Sequence, residues 1–312
     1  MKKVLLSALM AIFAISAIAQ ELNVASVNVR FAAKGDYKRH NGWDQRKGYL
    51  CDMINHEAFD VFGAQEVRKE QLDDMLAALP DYRYIGVARD DGKDKGEFCP
   101  VFYRKDKLKM LDGGTFWLSE TPDMVSKGWD GMCRRVCSRG KFQRKIDKVT
   151  FYFLCIHLDH RGKVAQMEGA KQVINWVKAN CKGENVVIVG DFNVTQDSAC
   201  YRLFADCGIL KDTYDTAKYR FSPNGTLNLF NPNRYTTNRI DHIFVSNDIK
   251  VSRHGILTYH YFRNMKGELK AMDTAAPKEI KGEDRELKCI SDQNRGPSEC
   301  GTTHEATSGM SS

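Results

Sequence analysis

The tetrapeptide Gly190-Asp191-Phe192-Asn193 stands directly behind four β-branched residues, Val186-Val187-Ile188-Val189, and delivers a carboxylate and an amide from the end of one apolar run. A run of that composition, closed by Gly, predicts a strand buried on both faces with a polar pair at its exit. Such a pair suits metal-assisted attack on phosphorus. Strand-Gly-Asp also describes an ordinary turn, so the tetrapeptide needs company. Asn28 follows Val27, Glu66 follows Gln65, His157 follows Ile156, and Asp241-His242 follow Arg239-Ile240. A single polar residue in a strand is the solvent-facing half of an alternation. The same event at the end of run after run is a constellation.

These residues need elements to hold them. Alternation predicts strands over 22–30, 60–64, 82–88, 98–103, 136–142, 149–157, 186–189, 239–245 and 251–259. Helical periodicity predicts a helix capped by Asp44, with Leu50, Met53 and Ile54 on one face, and others near 69–79, 164–180 and 199–207. The helix over 164–180 carries Ala170, Val173, Ile174 and Val177 on one stripe. Strands and helices mix throughout, and the helices are too few for an eightfold barrel. An α/β (α+β) architecture with two sheets packed against each other follows.

Met1-Lys2-Lys3, the apolar stretch 4–18 and the small-x-small Ala17-Ile18-Ala19 predict a signal peptide over 1–19, cleaved after Ala19. The stretch is short of the roughly 20 residues that a spanning helix needs. A periplasmic or secreted protein without a membrane span is expected. Removing the leader takes two lysines and no acid, so the formal charge of +7 falls to +5. That suits an anionic substrate, but the basic residues are interspersed with acids rather than gathered into a nucleic-acid ladder. With 42% hydrophobic residues and no linker or repeat in the middle, residues 20–293 read as one domain, and the Ser, Gly and Thr of 294–312 read as a disordered tail. None of the ten cysteines forms a Cys-x-x-Cys pair, which speaks against structural zinc. Cys99 and Cys155 lie in apolar strands, where a free thiol acts as a small hydrophobe.

The ordered set Ser26-Val27-Asn28, Gln65-Glu66, Cys155-Ile156-His157-Leu158-Asp159-His160, Gly190-Asp191-Phe192-Asn193 and Arg239-Ile240-Asp241-His242 resembles the endonuclease/exonuclease/phosphatase superfamily, closest to its secreted bacterial branch. The resemblance runs from about Leu22 to Asp292. It implies a four-layer sandwich, two mixed β-sheets packed face to face with helices outside, and a site at one sheet edge. It implies that Glu66 binds a divalent metal, Mg²⁺ or in its place Mn²⁺, with Asn28 and Asp292 beside it. Asp191 matches the residue that orients and deprotonates the attacking water, and Asn193 its phosphate-binding neighbour. His157 matches the histidine that donates to a phosphate oxygen or the leaving group, and Glu97 the acid that hydrogen-bonds this histidine. Asp241 matches the acid that holds a second histidine near the C-terminus. The family pattern Ser-Asp-His reads Ser291-Asp292-Gln293 here, so Gln293 stands where that second histidine is expected. Gln can bond a phosphate oxygen but carries no ionisable proton. Arg135 matches a substrate-side arginine, and His160 is a further residue for the substrate. Arg139 stands where the branch has Trp, and Cys155-Ile156 where it has Asn-Thr.

The function expected is a metal-dependent phosphoesterase acting on a phosphorylated small molecule, a lipid head group or nucleic acid, with no stable protein partner. The alternative is a catalytically inactive member that keeps the phosphate-binding cleft. His242 is expected to pack rather than to act, and Phe116, Trp117 and Trp129 to serve core or rim.

Overall fold

The computed structural model describes residues 21–231 and 233–259. The leader expected over 1–19, Asp292, Gln293 and the tail expected over 294–312 lie outside them. The elements, in order, are β1 (Val24–Asn28), α1 (Lys34–Tyr37), α2 (Trp43–Glu57), β2 (Val61–Gln65), α3 (Lys69–Ala78), β3 (Tyr82–Ile85), β4 (Val101–Arg104), β5 (Leu108–Trp117), β6 (Val136–Arg144) and β7 (Thr150–His157). They continue as α4 (Lys163–Asn180), β8 (Asn185–Asp191), α5 (Ala199–Ala205), β9 (Leu210–Asp212), α6 (Thr213–Thr216), β10 (Tyr219–Phe221), β11 (Asp241–Ser246) and β12 (Arg253–Gly255).

One sheet has the order β1-β2-β4-β3, and a larger one the order β5-β6-β7-β8-β11-β9. Both are mixed: β1 runs parallel to β2, and β7 parallel to β8, while β4 and β11 join antiparallel. The alternation of the strands sorts their side chains into three separate cores. Val61 of β2, Phe153 and Cys155 of β7, and Val187 and Val189 of β8 meet between the two sheets. Phe62 and Ala64 turn the other way, onto Ile54, Leu72 and Met75 of α2 and α3. Leu154, Ile156, Val186 and Ile188 face Ala170, Val173, Ile174 and Val177 of α4 and Phe204 of α5. Three cores between four layers make a helix–sheet–sheet–helix sandwich, as the sequence implies, and β8 is buried on both faces.

Two glycines set how closely the layers and strands approach. A Cβ on Gly63 would lie 2.5 Å from Val189 Cγ2 and 2.6 Å from Cys155 Sγ across the inter-sheet core. One on Gly190 would lie 2.0 Å from the carbonyl oxygen of Ile156, so β8 reaches its end beside β7 only with glycine there.

Some boundaries differ from the sequence reading. Residues 108–117 form a strand it lacks: Leu108-Lys-Met-Leu-Asp-Gly-Gly-Thr-Phe-Trp117 is largely exposed, contains two glycines and shifts register between Met110 and Asp112, so no alternation survives. Asp44 is not the cap of α2, which starts one residue earlier at Trp43, and Gln45 Oε1 accepts instead from Gly42 N at 2.8 Å. The strand expected over 251–259 is confined to Arg253–Gly255, paired with β10. Cysteines 51, 99, 133, 137, 155, 181, 200 and 207 are free thiols, with Cys99 and Cys155 in the inter-sheet core as expected. No helix among the described residues is long and apolar enough to cross a membrane.

Candidate active site

Parallel strands leave a sheet at the same end, and an antiparallel neighbour enters it there. His157 closes β7 directly beside Asp191, which closes β8, and Asp241 opens β11 on the other side of Asp191. Across the sandwich, Asn28 closes β1 and Glu66 follows the last residue of β2. Five of the residues picked out in the sequence are thus drawn from five strands of two sheets to one edge.

Asn28 ties the two halves together. Its Nδ2 donates to Glu66 Oε1 at 3.0 Å and to Asp191 Oδ2 at 2.9 Å, while its Oδ1 accepts from Arg30 N at 2.9 Å. It braces the two acids rather than turning its own oxygen toward a metal with them. Glu66 Oε2 accepts from Phe31 N at 3.1 Å, and Asp191 Oδ1 from Asn193 N at 2.8 Å. The Asn193 side chain turns inward, with Nδ2 donating to Leu158 O at 3.0 Å. Glu66 and Asn193 both hold positive φ, at 62° and 51°. Non-glycine residues in that region cost on the order of 1–3 kcal/mol each, and the bonds just named hold them there.

Burial pushes the Asp191 carboxyl up to about 6, and the Glu66 charge adds to it. Asp241 keeps some contact with solvent, yet the protein packed around it pushes its carboxyl well up, and the Asp191 charge adds again. His157 is held well below the usual imidazole range by burial, then by Arg135, Arg89 and His160. Its Nε2 stands 3.9 Å from Asp191 Oδ2, too far for a hydrogen bond. Glu66, His157 and Asp191 each present one ligand atom, all within 4.8 Å of one another. Asp191, pushed up by burial, and Glu66, with one amide between them, fit a divalent cation, whose charge would offset the repulsion. Glu66 and Asp191 offer the hard oxygens that such a cation takes.

One expected pairing is not formed. Glu97 does not bond His157: its Oε2 accepts from Arg89 Nη1 at 2.6 Å. A guanidinium within reach outcompetes a neutral ring nitrogen for a buried carboxylate. Asp241 has no histidine partner among the described residues and is tied to Thr226, whose Oγ1 accepts from the Asp241 N–H at 3.2 Å. His242 faces away, as expected: its Nε2 lies 3.0 Å from Val194 O, and its ring packs on Phe192 and Tyr201. Phe116 and Trp117 are buried in the core. Arg139 lies away from the site, over the Trp176 ring and paired with Asp112.

Arg135 and His160 do come together, with Nη2 3.0 Å from Nδ1. Arg135, Arg89, Glu97, Phe98, Cys99, Val136 and His157 line a cavity of about 10 Å³. The sequence reading gave no role to Asp159, which is fully packed and organises this side of the cleft, nor to Thr226. Asp159 sits three residues before Gly162 at a helix start, a spacing that signals a carboxylate bonding main-chain N–H groups.

The profile of the Endonuclease/Exonuclease/phosphatase family matches residues 25–260. The structure is similar to that of a Bacteroides thetaiotaomicron mannosyl-6-phosphatase, with a TM-score of 0.76 and 47% identity over 78% of this chain and 92% of that one. It is also similar to an endonuclease/exonuclease/phosphatase from Bacteroides vulgatus, with a TM-score of 0.72 and 37% identity over 75% and 90% of the two chains. An uncharacterised protein of Acanthamoeba polyphaga mimivirus is 24% identical over 163 residues, 48% of this chain and 59% of that protein. A second from the same virus is matched over 15% of its length, so the chain spans less than two thirds of either curated relative.

Proposed function

The chain belongs to the endonuclease/exonuclease/phosphatase family, and from that membership we propose that it is an exported hydrolase that releases phosphate from a sugar phosphate monoester. The observation that carries the reading is the Asn28 amide joining Glu66 and Asp191 across the two sheets, with His157 beside them. A sugar 6-phosphate is favoured as substrate by the 47% identity to a mannosyl-6-phosphatase. Export rests on the leader-like residues 1–19.

Asp191 orients the attacking water and accepts its proton. His157, kept neutral, donates a hydrogen bond to a phosphoryl oxygen or to the leaving oxygen. Asn28 and the Asn193 main chain keep the Asp191 carboxylate in one orientation. Glu66 would hold a divalent cation, Mg²⁺ in this reading, which would neutralise charge on the phosphoryl group. Arg135 and His160, beside His157, meet the phosphoryl oxygens of the substrate.

The test is release of inorganic phosphate from mannose 6-phosphate by residues 20–312, with Mg²⁺ and with chelator, beside a diester such as bis(p-nitrophenyl) phosphate. Asp191→Asn is expected to lower kcat by about 10² to 10⁴. Preferential cleavage of the diester would move the protein to the nuclease side of the family. Phosphate binding without turnover on any ester would make it an inactive binding member.

A further inference from the structure

Two segments that carry no strand or helix meet beside His157: the connection from β5 to β6 and the turn from β7 into α4. Asp159 joins them. Its Oδ1 accepts from Arg161 N at 2.9 Å and Gly162 N at 2.8 Å, within its own turn. Its Oδ2 accepts from Met132 N at 3.0 Å and Cys133 N at 3.1 Å, in the other segment. A turn needs only the first pair. Asp130 reaches back in the opposite direction, with Oδ1 accepting from Ala165 N at 2.8 Å and Oδ2 from Val164 N at 3.3 Å at the start of α4. A Cβ on Gly162 would lie 2.7 Å from Asp130 Oδ1, so glycine lets the two segments touch. The two acids form a reciprocal clasp.

Two residues past the clasp stands Arg135, 6% exposed, with its Nε 3.6 Å from Asp159 Oδ2. Arginine has only donors, so the contact from Arg135 Nη2 makes His160 Nδ1 the acceptor and leaves the imidazole proton on Nε2. Arg135 Nε and Nη1 are buried without a hydrogen-bond partner among the described residues. Buried donors left unfilled are costly, and these belong to a guanidinium lining a cavity with His157 that is the size of one oxygen atom or water. The geometry points to Asp159 as a positioning residue for substrate capture: through the clasp it sets Arg135, and through Arg135 the His160 tautomer, for the phosphoryl oxygens of the incoming ester. This rests on the hydrolase reading above. Asp159 itself touches no substrate.

A residue that acts through another loses its effect when that other is gone. Asp159→Asn keeps the size of the side chain but gives up part of the bonding to Met132 and Cys133. It is expected to raise KM for mannose 6-phosphate by about 10- to 100-fold with kcat changed less than about threefold, the pattern of lost ground-state binding. Added to Arg135→Gln, it is expected to raise KM less than about twofold further. Asp130→Asn, which opens the clasp from the other side, is expected to shift KM in the same way, and it serves if Asp159→Asn fails to fold by thermal melting. Full multiplication of the Asp159 and Arg135 effects, or a loss confined to kcat, would overturn the inference. The same cycle is read in parallel as the Kd for inorganic phosphate by calorimetry. Wild type that binds phosphate but hydrolyses nothing sinks the hydrolase reading and leaves the Asp159 cycle decided by Kd. Wild type that does neither overturns both.

Discussion

At the scale of the residue, the site is decided by which polar groups find each other once water is removed. Asn28, Glu66, His157, Asp191 and Asp241 were legible because each interrupts or ends an apolar run, and their meeting follows from strand direction. The partner of His157 was not legible. Glu97 stands in a suitable place in the chain, but Arg89, eight residues earlier, takes its carboxylate. Glu97→Gln is therefore expected to act first on stability, lowering it by about 1–3 kcal/mol in urea unfolding through the poorly satisfied Arg89. Were Glu97 the residue that orients His157, the loss would fall on kcat with the unfolding midpoint unchanged. Asp159 went unassigned for a similar reason: its four N–H donors come from two segments, and only one is adjacent in sequence.

At the scale of the element, strands buried on two faces were the easiest to read and edge strands the hardest. β8 and β2 are continuous apolar runs because a core lies on each side. β5, at the edge of the larger sheet, carries exposed Lys109, Met110 and Leu111 and a register shift, so its pairing with β6 decides what its composition does not. The glycines in the central strands mark close approach rather than turns. Gly63→Ala is expected to destabilise by about 1–3 kcal/mol, since the new methyl must displace Val189 and Cys155 in a packed core. Gly190→Ala is expected to cost more, because its methyl meets the Ile156 main chain, which cannot rotate away. It should also lower activity by shifting Asp191 against His157. Chemical denaturation and kcat measured on both variants check the order; equal stability losses would refute the account.

At the scale of the whole molecule, the folded state keeps His242 neutral in the layer between the larger sheet and its helices. Burial depresses its pKa to about 4, from the ordinary imidazole value of 6.5. A depressed imidazole contributes stability that is intact above the unfolded pKa and is lost as pH falls through 6.5 toward 4. His242 alone is expected to remove roughly 2 kcal/mol of stability between pH 7 and pH 5. His254, likewise depressed by burial, adds in the same direction. His242→Phe should flatten this slope without abolishing it, as read by urea unfolding at the two pH values. An unchanged slope would show that the ring is not buried in its neutral form.

The sequence by itself determined the class of fold, the strands with a core on each side and the identity of the acids and amides at their ends. It could do so because burial of continuous β-branched runs is a local pattern, and a polar residue at the end of such a run stands out against it. The tertiary structure alone decided the pairings: Asn28 with two acids from different sheets, Glu97 with Arg89, and Asp159 with a segment 26 residues away. A hydrogen bond in a buried site goes to the best donor within about 3 Å, and distance in space between chain segments is set by how the layers pack rather than by the spacing of residues along the chain.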